Sequence, residues 1–275
     1  MSIPKSWHED WSGLGAVVLG LGKSGFSAVD TLVELGVRTI AVGASADEKL
    51  IEMTEVIGSR FIASEEPEVL DEIGFKPDFA VVSPGFRPSH PLVIALQTQG
   101  VELITDIDLA WKLRDRVKVA HWVVVTGTNG KTTTCELTGH IIASAGLRVA
   151  ICGNIGNPVL DAVRDPVGFD YFVVELSSFQ LHYLGEINPV ASAFLNFAED
   201  HIDWHGSLDS YFGSKAKVYQ GTEKAIIFNE QDGRTLEAAQ MADVVEGCRA
   251  IGFSLFTPQP HLSVMSKTFW WTEPS

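Results

Sequence analysis

One stretch of the sequence, a β-branched run that enters a glycine-rich turn, constrains the fold more than any other. Residues 123–125 are valines, the turn spans residues 127–130, and a helical pattern runs from 131 to 144. In such a strand–turn–helix the backbone N–H groups of the turn converge on one point, where the helix dipole favours negative charge. The stretch therefore predicts a phosphate site in which Lys131 contacts the terminal phosphates and the Thr132 hydroxyl binds Mg²⁺. Its predicted residues are Gly127, Thr128, Asn129, Gly130, Lys131, Thr132 and Thr133.

The spacing of this turn is shorter than that of the general phosphate loop. The sequence reads Gly-x-x-Gly-Lys-Thr, and Val125 stands where the longer Gly-x-x-x-x-Gly-Lys-Thr pattern has its first glycine. The shorter spacing points to one group of nucleotide enzymes within the larger class.

The composition indicates a soluble, cytoplasmic protein of about two domains. The chain has 275 residues, and a domain usually takes ~100–200. A net charge of −15 argues against a broad nucleic-acid-binding face. Three cysteines without a CxxC pair predict neither a disulfide framework nor a zinc site. The sequence has no signal-peptide pattern and no apolar run of about 18 residues, so we expect no membrane partner.

Strands alternate with helices through the first half, which predicts a parallel α/β sheet. Gly20, Gly22 and Gly25 follow the first predicted strand at the spacing of the Rossmann fingerprint. A nicotinamide dinucleotide also needs an acid at the end of the second strand, but residues 38–42 are followed by Gly43. Dinucleotide binding is therefore the minority interpretation. We expect a first domain over residues 1–116 and a second over 117–275.

Several polar residues of the second half follow predicted strands. Glu175 ends a buried strand, so it is a candidate second metal ligand beside Thr132, although a strand-end glutamate can also cap a helix. His201 and His205 lie among acids after another apolar run, but their spacing alone does not identify a metal. Lys215, taken by itself, is interpreted as a solvated helical lysine.

Together these segments resemble the Mur ligases, in the family's order, from residue 16 to about residue 230. The matching blocks are residues 20–25, 82–86, 127–133, 153–156, 175–181, 196–205 and 211–217. The block 175–181, Glu-Leu-Ser-Ser-Phe-Gln-Leu, favours the D-glutamate-adding member over its sister ligases.

The resemblance implies a Rossmann-like N-terminal domain that binds UDP, followed by a P-loop-type α/β central domain that binds ATP. It implies a cytoplasmic, monomeric ligase of peptidoglycan precursor synthesis. This enzyme would add D-glutamate to UDP-N-acetylmuramoyl-L-alanine through an acyl phosphate. Residues 257–260 and 269–275 show no βα periodicity. We therefore expect a truncated chain without the family's third domain, with an incomplete central domain and little activity alone.

The resemblance also implies residue roles. Thr132 and Glu175 would bind one Mg²⁺, and His201 and Lys215 a second, with Lys215 carbamylated because an ammonium cannot ligate a cation. The implied catalytic residues are Lys131, Asn154, His201 and Lys215. The implied substrate-binding residues are Gly22, Lys23, Ser24, Gly25, Ser83, Pro84, Gly85, Asn154 and Ser177. The family's uracil contact is an acid followed by a small polar residue, and Gly43-Ala44 differs from it.

Three alternatives stay open at this stage. One is a non-catalytic module that retains UDP-sugar or ATP, and another is a nicotinamide dehydrogenase. The third is a folylpolyglutamate-type ligase, against which the block 83–86 and the UDP-type first domain weigh.

Overall fold

The computed structural model describes residues 3–255 and 263–264, which form two compact units, each built on a largely parallel sheet. The first unit comprises the described chain up to Val119 together with Pro158–Gly168 and Tyr183–Gly185, and the second comprises the rest. The predicted division after residue 116 lies three residues before the end of this first stretch at Val119, and it does not include the two short segments. The segments 257–260 and 269–275 lie outside the described residues.

The bounds of the elements follow chain order. The strands are β1 (Gly15–Leu19), β2 (Arg38–Gly43), β3 (Arg60–Ala63), β4 (Phe79–Val82), β5 (Glu102–Ile104), β6 (His121–Thr126), β7 (Val149–Gly153), β8 (Tyr171–Glu175), β9 (Ala191–Phe194), β10 (Ala225–Asn229), β11 (Arg249–Phe253) and β12 (Ser263–Val264). The helices are α1 (Lys23–Glu34), α2 (Glu48–Val56), α3 (Val69–Glu72), α4 (Pro91–Thr98), α5 (Asp106–Lys112), α6 (Lys131–Ser144), α7 (Val159–Val163), α8 (Ser178–Tyr183), α9 (Ile202–His205), α10 (Leu208–Ala216) and α11 (Gly233–Gln240).

The first unit has a five-stranded parallel sheet in the order β3-β2-β1-β4-β5. Its central strand β1 is buried on both faces, because helices pack on each side of the sheet. Leu19, the last residue of β1, pairs with Val42 on one side and with Val82 on the other. The residues after β1 and β4 therefore meet at the carboxyl edge, where α/β sheets bind ligands.

The second unit has a seven-stranded sheet in the order β12-β11-β10-β9-β6-β8-β7, in which only β12 is antiparallel. Strand β6 lies between β8 and β9, and Val125 pairs with Glu175 on one side and with Ala193 on the other. The glycine-rich turn after β6 is thus flanked by the ends of both neighbours. This register positions the candidate site.

The structure confirms the predicted α/β class and the helix over 131–144, and it adds elements that the sequence pattern missed. Helix α2 and strand β3 were not predicted. Asp47, four residues after the end of β2, caps α2 by accepting from the Lys49 N–H at 3.0 Å. The helix that carries Lys215, α10, ends at Ala216 and continues as a 3₁₀ turn, Lys217–Tyr219. Among the described residues, no helix is both long and apolar enough to cross a membrane.

Candidate active site

The turn after β6 leads directly into the N-terminus of α6. Gly130 precedes the helix and has a φ of +80°, which glycine adopts without strain. The Thr134 N–H donates the first helical hydrogen bond to the carbonyl oxygen of Gly130 at 3.0 Å. The N–H groups of Lys131, Thr132 and Thr133 therefore belong to the first turn of α6, whose amides have no partner within the helix. These amides and the helix dipole form an anion site at the predicted place.

Two further amides of the turn bond to the segment that follows β9. Thr128 N–H donates to the main-chain oxygen of Asn196 at 3.0 Å, and Asn129 N–H donates to Asn196 Oδ1 at 2.8 Å. Asn196 Nδ2 returns a bond to the Asn129 oxygen at 2.9 Å. The amides that can face a phosphate are thus those of the helix start rather than those of Thr128 and Asn129. Asn196 has no role among the sequence-based predictions, although it lies at the end of an apolar run and begins the block 196–205 that resembles the Mur ligases.

Lys131 folds back over the turn. Its Nζ donates to the carbonyl oxygens of Gly127 and Thr128, both at 3.0 Å. These two bonds hold the ammonium against the turn that the sequence predicts to bind phosphate.

Glu175, Thr132 and Asn154 form a hydrogen-bonded group at the end of β8. Glu175 is only 2% exposed; its Oε2 accepts from Thr132 Oγ1 at 2.8 Å and its Oε1 from Asn154 Nδ2 at 3.0 Å. The structure thus brings the predicted metal ligands Thr132 and Glu175 together, and it places Asn154 against Glu175.

The donor set at this point fits Mg²⁺ that shares its coordination with a nucleotide. Hydroxyl and carboxylate oxygens suit Mg²⁺, which usually takes one or two protein ligands and fills the remaining positions with water and phosphate oxygens. Within the described part of the chain, no cluster of three or more His, Cys, Asp or Glu residues could hold a metal by itself.

Lys215 lies on α10 and is 2% exposed, so its interpretation as a solvated lysine is wrong. Its Nζ donates to the Gly127 oxygen at 2.8 Å and lies 5.1 Å from the ring centre of Tyr211. Burial, reinforced by the positive charge of Lys131, lowers the pKa of Lys215 to about 7. Helical spacing alone could not show that this face of α10 packs against the turn.

The two histidines of the acidic segment have different environments. His201 has a φ of +51°, and its half-exposed ring lies 3.3 Å from an oxygen of Asp200. His205 is buried, and its Nε2 lies 3.0 Å from Ser178 Oγ. Burial, with the nearby His182, lowers the pKa of His205 to about 4, so the ring is neutral at neutral pH. Only His201 of the pair presents an accessible ring nitrogen.

Ser177, predicted as a substrate-binding residue, forms a reciprocal cap at the start of α8. Its Oγ accepts from Gln180 N–H at 3.2 Å, and its own N–H donates to Gln180 Oε1 at 3.1 Å. The structure thus gives Ser177 a local structural role beside Glu175.

The predicted UDP-binding residues of the first unit lie at the ends of β1 and β4. Gly20 has a φ of +91°, and a Cβ on Gly25 would stand 2.0 Å from the Gly20 oxygen, so only glycine allows this close approach. Gly22 is the N-cap of α1, and Lys23 and Ser24 begin the helix. Ser83 Oγ donates to the Gly20 oxygen at 3.4 Å, and Ser83, Pro84 and Gly85 form a turn closed by Phe86 N–H at 3.1 Å.

Comparison with known proteins identifies similar sequences. Residues 125–262 match the Mur ligase middle domain. The chain is 49% identical over 271 residues to the UDP-N-acetylmuramoylalanine–D-glutamate ligase of Leifsonia xyli subsp. xyli, covering 93% of this chain and 52% of that protein. It is 45% identical to the protein of the same name from Tropheryma whipplei, covering 92% and 53%. The Streptomyces coelicolor protein of that name is 40% identical, with 92% and 54% covered.

Solved structures share the fold at lower sequence identity. The UDP-N-acetylmuramate:L-alanyl-gamma-D-glutamyl-meso-diaminopimelate ligase from Neisseria meningitides aligns with a TM-score of 0.53 and 19% identity, covering 92% of this chain and 84% of that one. A murein peptide ligase from Psychrobacter arcticus aligns with a TM-score of 0.52 and 15% identity, covering 87% and 53%. The chain spans about half the length of the curated relatives that it matches.

Proposed function

This chain belongs to the Mur ligase family, and we propose that it binds ATP and UDP-N-acetylmuramoyl-L-alanine for the addition of D-glutamate in peptidoglycan precursor synthesis. The observation that carries the proposal is the group at the end of β8, where Glu175 accepts bonds from Thr132 and Asn154 beside the phosphate turn. The shared name of the relatives supports the choice of substrates over those of a folylpolyglutamate-type ligase.

The proposed reaction has two steps. The γ-phosphoryl group moves from ATP to a carboxylate oxygen of UDP-N-acetylmuramoyl-L-alanine, and ADP leaves. The D-glutamate amine then attacks the carbonyl carbon of this acyl phosphate and loses a proton, and phosphate leaves as the amide forms. Phosphoryl transfer depends on positioning and on neutralising charge. Lys131 and the first amides of α6 would supply both at the terminal phosphates.

Mg²⁺, when bound, would neutralise charge on the β- and γ-phosphates. Thr132 and Glu175 would hold one ion, and their contact at 2.8 Å supports this assignment. His201 and Lys215 would hold the second.

Lys215 could act as a ligand only after its charge is changed. A neutral Nζ would attack the carbon of CO₂, forming an N–C bond and releasing a proton, and the product would be an anionic carbamate. The lowered pKa of Lys215 makes the neutral amine abundant near neutral pH, which supports carbamylation. Labelling the chain with ¹³CO₂ should give a carbamate signal that Lys215→Met abolishes. A signal of equal size in that variant would contradict the assignment.

The first unit would hold the UDP group. Gly22, Lys23, Ser24 and Gly25 would contact the diphosphate, with residues 83–85 close by. Asn154 would lie near the substrate carboxylate, and Ser177 would line the same site. We further propose the domain division after residue 116, a monomeric state and a cytoplasmic location.

The proposal is tested by measuring phosphate release from Mg·ATP by the purified chain. We expect the chain to bind both nucleotides and to release little phosphate by itself. Substantial release that requires both UDP-N-acetylmuramoyl-L-alanine and D-glutamate would contradict the expectation of little activity, while tight binding with no release at all would favour a non-catalytic module. A chain that binds neither nucleotide would contradict the proposal.

A further inference from the structure

We propose that Asn196 is a positioning residue that fixes the phosphate turn for nucleotide binding, a role that rests on the proposed binding of ATP. Its main-chain oxygen accepts from Thr128 N–H at 3.0 Å. Its side chain makes two more bonds to one residue, accepting from Asn129 N–H at 2.8 Å and donating to the Asn129 oxygen at 2.9 Å. An amide side chain offers a donor and an acceptor together, so it can pair with a peptide unit as a neighbouring strand would.

The turn needs such a partner because its backbone leaves the sheet. Leu195 N–H donates to the Thr126 oxygen at 3.0 Å, which extends the pairing of β9 and β6 to the last residue of β6. Residues 127–130 are not part of any strand. Backbone N–H and C=O groups that have no partner in a sheet require other hydrogen-bond partners. Asn196 continues the pairing across Thr128 and Asn129, where the strands themselves have ended.

The segment that carries Asn196 is itself fixed from the other side. Phe197 N–H donates to Asp232 Oδ2 at 2.6 Å, and Asn229 Nδ2 donates to the Leu195 oxygen at 3.3 Å. Asp232 is also the N-cap of α11, accepting from the Arg234 and Thr235 N–H groups. Asn196 therefore joins the turn to a braced segment rather than to a free loop.

Thr128 adds a second connection between the same two segments. Its Oγ1 accepts from Ala198 N–H at 3.0 Å and lies 3.2 Å from the hydroxyl of Tyr211. With Thr128 and Asn129 bonded in this way, the turn holds its shape before a nucleotide arrives. A turn that is already ordered loses less conformational entropy when the nucleotide binds, and the nucleotide therefore binds more tightly.

The experiment compares Asn196→Ala with Asn188→Ala in the full chain. Asn188 makes a matched control because its Nδ2 also donates to a main-chain oxygen, that of Gly221 at 3.1 Å, and it precedes β9 whereas Asn196 follows it. Asn196→Leu keeps a branched side chain of similar size without the hydrogen bonds, in case the alanine variant does not fold. The readouts are the exchange rate of the Asn129 amide in the nucleotide-free chain and the Kd for Mg·ATP by titration calorimetry at equal folded fraction.

We expect Asn196→Ala to speed exchange at Asn129 and to weaken Mg·ATP binding by about tenfold, or roughly 1.4 kcal/mol, while Asn188→Ala changes neither. Equal ATP affinity in the unaltered chain and in a folded Asn196 variant would overturn the positioning role, whatever the change in thermal stability. If both Asn196 variants failed to fold, Asn196 would be required for folding, and its role as a positioning residue would be overturned as well. If the unaltered chain bound no ATP, the proposed function itself would fail first.

Discussion

Replacing Thr132 with valine tests the contact between the phosphate helix and the buried carboxylate. Valine keeps the shape of threonine but removes the hydroxyl that donates to Glu175 Oε2 at 2.8 Å. Because Glu175 is 2% exposed, water cannot readily replace the lost donor. A hydrogen bond to a charged group contributes about 1.5–3 kcal/mol. We therefore expect the free energy of unfolding of the second unit to fall by about 2 kcal/mol, and Mg·ATP to bind more weakly.

Thr134→Val is the matched control for this change. Thr134 lies one half-turn further along α6, and its Oγ1 donates at 2.9 Å to a neutral partner, the Gly130 oxygen. Both variants make the same chemical change on one helix, so differences in helix propensity cancel. Urea unfolding followed by circular dichroism measures stability, and calorimetry measures Mg·ATP affinity. Equal losses of stability in the two variants, or unchanged Mg·ATP binding in Thr132→Val, would refute the reasoning.

The remaining predictions concern a buried histidine and a glycine. The pKa of His205 is about 4 in the folded chain against 6.5 unperturbed, so the unfolded chain takes up a proton first and stability is lost as pH falls from about 6.5 to about 4. His205→Gln should remove about 2 kcal/mol of the stability that is lost between pH 7 and pH 5, measured by unfolding at those two pH values; an unchanged pH dependence would count against the assignment. Gly25→Ala should disrupt the first unit and its UDP binding, because the new Cβ would stand 2.0 Å from the Gly20 oxygen. Gly22→Ala, where a Cβ meets nothing within 4 Å, should keep the fold, and equal unfolding temperatures for these two glycine variants would contradict the argument.

The fold was predictable because its central strands contain runs of apolar residues, 16–19 in β1 and 122–125 in β6, and because glycines follow these runs. Both signals depend on neighbouring residues only, as at β1 and Gly20 or at β6 and Gly130. The less apolar α2 and β3 escaped prediction, since β3 has no buried residue and α2 buries only Thr54.

The part of the candidate site that lies at the carboxyl ends of neighbouring strands was predictable. Glu175 ends β8, and Thr132 begins the helix that follows the adjacent strand β6, so their contact could be expected from a parallel sheet. Lys215 and Asn196 are different, because their environments depend on how α10 and the segment after β9 pack against the turn. The local sequence around a helical lysine, or around an asparagine after an apolar run, is the same whether the side chain is exposed to solvent or buried. The resemblance to the Mur ligases, rather than the residue pattern, pointed to Lys215.

Binding of a nucleoside triphosphate at the turn after β6 can be measured by titrating Mg·ATP into the unaltered chain and into Lys131→Ala. Lys131 Nζ lies 3.0 Å from the oxygens of Gly127 and Thr128 in the turn, whereas Lys49 is an exposed lysine on α2 and serves as the control. We expect one Mg·ATP per chain, bound equally by the unaltered chain and Lys49→Ala and at least tenfold more weakly by Lys131→Ala, because that variant loses a charged contact. Equal affinity in Lys131→Ala, or no binding by the unaltered chain, would contradict this expectation.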